Sequence, residues 1–111
     1  MAYDERLARR IRDLLAAEPD LTEQRMFGGL AFLIGGHMAV AASGQGGLMV
    51  RVDPEETDGL LASTPAQPME MQGRAVRGWV RVDADEVGTG ASLSTWVARG
   101  TAYARSLPPK R

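Results

Sequence analysis

Arg25-Met26-Phe27-Gly28-Gly29-Leu30-Ala31-Phe32-Leu33-Ile34-Gly35-Gly36-His37-Met38-Ala39-Val40, running on to Leu48-Met49-Val50-Arg51-Val52, decides the fold. Apolar segments of strand length alternate here with glycine pairs. Most of the large apolar residues of the chain lie in this stretch, so the core is expected here. Leu30, Phe32 and Ile34 recur at period two and share one face of a strand. Gly35-Gly36 is a two-residue hairpin signal, because a type I′ turn needs positive φ at both central positions. Met38, Val40 and Ala42 are expected to continue the same face on the next strand. Ser43-Gly44-Gln45-Gly46-Gly47 reads as a turn, and Leu48, Val50 and Val52 alternate with Met49 and Arg51 on a further strand. Strands this close in sequence pair antiparallel, since parallel pairing needs a longer crossover.

Upstream, Thr22 to Phe27 reads as the first strand, and Gly28-Gly29 as a bend or bulge. Before it, residues 4–17 read as a helix with Leu7, Ile11, Leu14 and Leu15 on one stripe. Asp4 is its N-cap and Pro19 its stop. Glu5 with Arg9, and Arg9 with Asp13, are spaced to pair on the wet side. Downstream, Asp53-Pro54-Glu55-Glu56 is a helix start, with Asp53 as N-cap, Pro54 at the first position and Glu56 placed for a capping-box geometry. That helix runs to about Ala62. Met69 to Met71 is a short edge segment. Gly78 to Asp83 is a strand with Trp79 and Arg81 on one face and Val80 and Val82 on the other. A last helix covers about Ala91 to Ser106, with Leu93, Trp96, Val97, Gly100 and Ala104 on one side. The fold class is therefore α+β: an antiparallel meander sheet of about five strands, flanked by N-terminal and C-terminal helices. One domain spans 1–111, with 108–111 expected as a flexible tail.

The totals narrow the function. The chain has 111 residues, 13 Lys plus Arg and 14 Asp plus Glu, for a formal net charge of −1. One hydrophobic core is what this length supports. The balance gives no general attraction to nucleic acid or anionic membrane. There is no cysteine, so thiolate chemistry and disulfides are absent. No apolar run approaches the roughly 20 residues that span a bilayer, and the charged start has no signal-peptide core. A cytoplasmic location is the expectation.

Catalytic and ligand motifs are weak. His37 is the only histidine; it has no ligand spacing around it and reads as an exposed hairpin residue. Gly44-Gln45-Gly46-Gly47 leads into a strand, whereas a phosphate loop needs a helix N-terminus behind it. Asp53, Glu55, Glu56 and Asp58 form an acidic cluster, and helix capping accounts for the first three. No catalytic residue, cofactor site or metal site is assigned. Met26, Met38, Met49, Met69 and Met71 are expected as core fillers. Arg6, Arg9, Arg10 and Arg12 read as a solvated helix face with interleaved acids. The group left over is Arg74, Arg77, Trp79 and Arg81. Arginines beside an exposed tryptophan suit a protein partner, and, as an alternative, a stacked nucleic-acid base.

Several blocks together carry a family resemblance: Met1-Ala2-Tyr3-Asp4-Glu5, Met26-Phe27-Gly28-Gly29-Leu30-Ala31-Phe32, Gly36-His37-Met38-Ala39, Leu48-Met49-Val50-Arg51-Val52, Gly78-Trp79-Val80, Trp96-Val97, and Ala104-Arg105-Ser106-Leu107-Pro108-Pro109-Lys110. The chain resembles the N-terminal domain of the TfoX/Sxy family over nearly its whole length. The resemblance implies an antiparallel sheet between N- and C-terminal helices. It also implies a link to regulation of natural competence, where full-length members act with the cyclic-AMP receptor protein at promoters. Full-length regulators carry a second, helical domain, and this sequence reads as a stand-alone first domain. The family supplies no catalytic residues to carry over. The expected function is a non-enzymatic protein-interaction module, possible as a transcription co-regulator with a partner of the cyclic-AMP receptor protein type. The alternatives are direct nucleic-acid binding through arginine patches and a small-molecule-binding domain. An open sheet edge also makes a homodimer possible.

Overall fold

Asp4 opens the first helix by accepting the amides of Arg6 (2.9 Å) and Leu7 (3.1 Å), and α1 runs over Glu5–Leu14. The computed structural model describes residues 3–26 and 28–109, with the side chain of Met71 excepted. Phe27, Met1, Ala2, Lys110 and Arg111, which figured in the strand, resemblance and tail readings, lie outside the described residues. Leu7, Ala8, Ile11 and Leu15 form the buried stripe of α1. Leu14, expected on that stripe, is 45% exposed. At 100° per residue it falls at the border of the arc that the other four define. The expected pairs Glu5–Arg9 and Arg9–Asp13 do not form. The helix instead reaches outward: Arg12 clamps Glu23 through two bonds of 2.6 and 2.8 Å.

Six strands follow from the alternating segments: β1 (Leu21–Met26), β2 (Gly29–Ile34), β3 (His37–Ala42), β4 (Leu48–Arg51), β5 (Gln67–Met71) and β6 (Arg74–Val82). They form one sheet in the order β1-β2-β3-β4-β6-β5, with every pairing antiparallel. Among the described residues the count is six against an expectation of about five, because the Met69–Met71 segment lengthens into a full edge strand on β6. Gly35 and Gly36, at φ of 60° and 86°, make the β2–β3 turn as the glycine pair requires. Between β4 and α2 (Thr57–Ser63), Asp53 caps a 3-10 turn at Pro54–Glu56 by accepting the amide of Glu55 (2.9 Å). The Glu56 side chain takes no part in that cap. A second 3-10 turn at Ala84–Val87 leads into α3 (Gly90–Ser106), which Thr89 caps through the amide of Ser92 (3.1 Å).

One face of the sheet carries the core. Leu30, Phe32, Ile34, Val40, Leu48, Val50, Val80 and Val82 meet Leu7 and Ile11 from α1 and Leu93, Trp96 and Val97 from α3. Gly100 is where α3 comes closest to the sheet: a Cβ there would overlap the carbonyl oxygen of Ala39 and lie 2.9 Å from Cγ1 of Val40. Arg10 ties α1 to the start of α3, donating to the carbonyls of Val87 (3.0 Å), Gly88 (3.4 Å) and Thr89 (3.2 Å). After α3, Pro108 and Pro109 lie on the β2–β3 turn. His37 Nε2 donates to the Pro108 carbonyl (2.6 Å), and Pro109 sits 3.6 Å from where a Cβ on Gly35 would be. Among the described residues no helix is long and apolar enough to cross a membrane.

Candidate functional site

The other face of the sheet holds the candidate site. Strand alternation sends Met49 and Arg51 to the side opposite Leu48 and Val50, and sends Trp79 and Arg81 opposite Val80 and Val82. The register then joins them, with Met49 across from Arg81 and Arg51 across from Trp79. Met38 joins the same face because the β2–β3 register slips between Phe32 and Leu33, pairing Met38 with Leu33. This overturns the expectation that Met38 shares the core face with Val40 and Ala42. One extra residue in a strand reverses the facing of everything beyond it.

The result is an open groove of about 590 Å³. Met26, Met38, Met49, Met69 and Trp79 line it, Gly29 and Ala41 form part of its floor, and Ser43, Gln45, Glu70 and Arg81 stand at its polar parts. The reading of the methionines as core fillers is corrected here. Among the described residues no methionine is buried in the core: Met26, Met38, Met49 and Met69 are half-buried in the groove wall, while the Met71 side chain lies outside the described residues. The core is closed by branched and aromatic side chains of fixed shape. The unbranched, polarizable thioethers are left for a surface that must adapt to what it meets.

Of the four residues singled out in the sequence, the structure brings two together. Trp79 is half-buried in the groove and Arg81 stands beside it. Arg81 donates to Gln45 Oε1 (3.2 Å) and the Gly46 carbonyl (3.3 Å), both neutral, so its charge is oriented without being neutralised. Arg77 does not share the groove; it donates to the Pro54 carbonyl at 3.0 Å. Arg74 is exposed at the start of β6, also outside it. Arg51, which sequence reasoning left as a plain strand residue, is the more informative arginine. Its guanidinium lies 5.7 Å from the Trp79 ring and 5.5 Å from the Tyr103 ring. Two cation–π contacts hold it between the sheet and α3. The cross-strand pairing with Trp79 was the signal that could have found it, but that pairing is between strands far apart in sequence.

His37 is not the exposed hairpin residue expected. It is half-buried, with Nε2 on the Pro108 carbonyl and Nδ1 enclosed without a partner. Ser43, at the groove, accepts the amide of Gln45 (3.1 Å) through its hydroxyl. The two are engaged in separate local bonds and form no nucleophile–base pair. Among the described residues no three histidine, aspartate or glutamate side chains converge as a bound metal would need. Titration is perturbed at the α1–β1 bridge. There the hydrogen bonds from Arg12 hold the Glu23 carboxyl below its usual range, against the opposing effect of partial burial.

The family model described as the TfoX N-terminal domain matches residues 13–104 of the 111-residue chain. The chain belongs to the TfoX N-terminal domain family. The match begins inside α1 and ends inside α3, so it takes in the whole six-stranded sheet and both walls of the groove. No curated protein matches the chain. In this TfoX N-terminal domain, the side of the sheet that faces away from the helices is the one that gathers the half-buried methionines, the tryptophan and an oriented arginine.

Proposed function

We propose that the chain is a non-enzymatic protein-binding module whose groove on the helix-free face of the sheet takes an apolar segment of a transcription factor, as a co-regulator. The observation that carries this reading is the groove itself: methionines and Trp79 held at half burial on a sheet whose other face already supplies the core. A domain that has closed its core gains nothing by gathering large apolar side chains on a second face unless something covers them. Thioethers suit that role because they repack around unlike side chains. Arg81 favours a segment that carries a carboxylate among its apolar residues, since it has no carboxylate partner among the described residues. Glu70, at the same groove, sets where a basic residue of that segment would sit.

The partner class comes from the family resemblance, which points to a transcription factor of the cyclic-AMP receptor type. The test is titration calorimetry of the purified chain against such a factor, repeated with Met49→Glu and with Arg74→Glu. Binding lost in Met49→Glu and kept in Arg74→Glu is the expected result. Binding equally strong in Met49→Glu would move the contact off the groove. No binding by the unaltered chain would remove this partner class.

A further inference from the structure

The sheet ends in two free edges, and they are not equivalent. β5 is blunted, because Pro68 has no N–H to offer and the register breaks between Pro68 and Glu70. β1 is six residues long, contains no proline and stays in unbroken register with β2. Its hydrogen-bonding phase is fixed by one bond: the Gly35 amide donates to the Asp20 carbonyl at 3.2 Å. Asp20 and Gly35 are therefore a hydrogen-bonded pair, and antiparallel alternation sets the rest. The backbone groups of Thr22, Gln24 and Met26 turn toward β2, while those of Leu21, Glu23 and Arg25 turn away from it. The residues from Thr22 to Arg25 are all exposed.

We propose that two copies of this chain pair antiparallel along β1, about a two-fold axis that passes through Gln24. This inference goes beyond the groove reading and does not rest on it. With the axis at Gln24, Glu23 faces the partner's Arg25 and Arg25 faces the partner's Glu23. Both are residues whose N–H and C=O already point outward, so each pair exchanges two backbone hydrogen bonds. The side chains add an opposite-charge pair on each side of the axis, with Glu23 keeping its two bonds from Arg12 and offering its remaining lone pairs to the second copy. An axis through Glu23 or through Arg25 would instead set like charges face to face. Charges on an edge strand ordinarily discourage pairing. Here the two signs lie one position either side of a common centre, so a two-fold turns the repulsion into attraction. The pairing joins two six-stranded sheets edge to edge and makes their groove-bearing faces continuous.

The absence of cysteine makes the register directly testable. Gln24 across the axis is a non-hydrogen-bonded pair, with Cα atoms about 4.5 Å apart, inside the range a disulfide spans. Thr22 is offset from its own copy by four residues, about 13 Å along the strand. Mild oxidation should therefore link Gln24→Cys into a covalent dimer and leave Thr22→Cys largely unlinked. Analytical ultracentrifugation of the unaltered chain should give a dimer mass. Arg25→Glu should weaken self-association about tenfold or more, because the substitution acts twice across the axis, while Arg25→Lys should behave as the unaltered chain. A monomer mass at the highest soluble concentration overturns the proposal. So does a dimer that folded Arg25→Glu leaves unchanged, or Thr22→Cys linking as fast as Gln24→Cys. Should Arg25→Glu fail to fold, the cysteine pair and the lysine variant still decide.

Discussion

Thr57 carries one of the tightest local arguments in the molecule. Gly78 stands in β6 at φ 91°, a conformation that tips the strand out of its ladder. Its buried amide is met by the Thr57 hydroxyl at 2.9 Å, and that hydroxyl donates in turn to the Asp53 carbonyl (3.2 Å). Thr57→Val keeps the shape and removes the acceptor. Leaving a buried amide unsatisfied costs about 1–3 kcal/mol, so urea melts should show a loss in that range. Gly100 makes the opposite kind of demand, on space. Gly100→Ala improves helix propensity by about 1 kcal/mol, yet the new methyl meets the Ala39 carbonyl on a packed strand. Overpacking costs of about 1–3 kcal/mol should win, and thermal melts should show a lower Tm. At this scale the sequence was readable where a residue acts on its near neighbours. Asp4, Asp53 and the Gly35-Gly36 turn could be assigned because their partners lie within a few positions. Thr57 with Gly78, and Arg10 with Val87, could not, since each bond joins segments whose proximity exists only after folding.

Among the elements, alternation was the dependable guide. Leu48, Val50, Val80 and Val82 went to the core and Met49, Trp79 and Arg81 to the far side, as period two requires. The failure came at a single slip, between Phe32 and Leu33, which no residue type in that stretch marks. Val40 and Ala42 kept their expected face, but Met38, across the slip, was assigned to the core for that reason. The methionines were misread for a second reason: hydrophobicity says that a side chain can be buried, not which face has room for it. The tie between α1 and β1 gives a pH prediction. Arg12 holds the Glu23 carboxyl below its usual range, so the bridge contributes stability above the ordinary glutamate pKa. That contribution is lost as pH falls through the lower folded value. The pair is half exposed, at 48% and 31% for the two side chains, so solvent limits it to less than about 1 kcal/mol. Glu23→Gln should be slightly less stable than the unaltered chain at neutral pH. The difference should close in acid, as chemical melts at a series of pH values would show.

At the scale of the whole molecule the two faces of one sheet divide the work. The helix-covered face closes the core, and the opposite face keeps adaptable side chains half out of water. Because the groove lies outside the core, Met49→Glu should change folding stability by about 0.5 kcal/mol or less, as surface substitutions do, while removing partner binding. The most direct test labels the methionine methyl groups and follows their NMR signals as a transcription factor of the cyclic-AMP receptor type is added. With the leucine methyls labelled as well, the predicted result is that Met26, Met38, Met49 and Met69 shift together while the methyls of Leu14, on the helix side, stay in place. Binding that leaves those four signals unmoved would contradict the account.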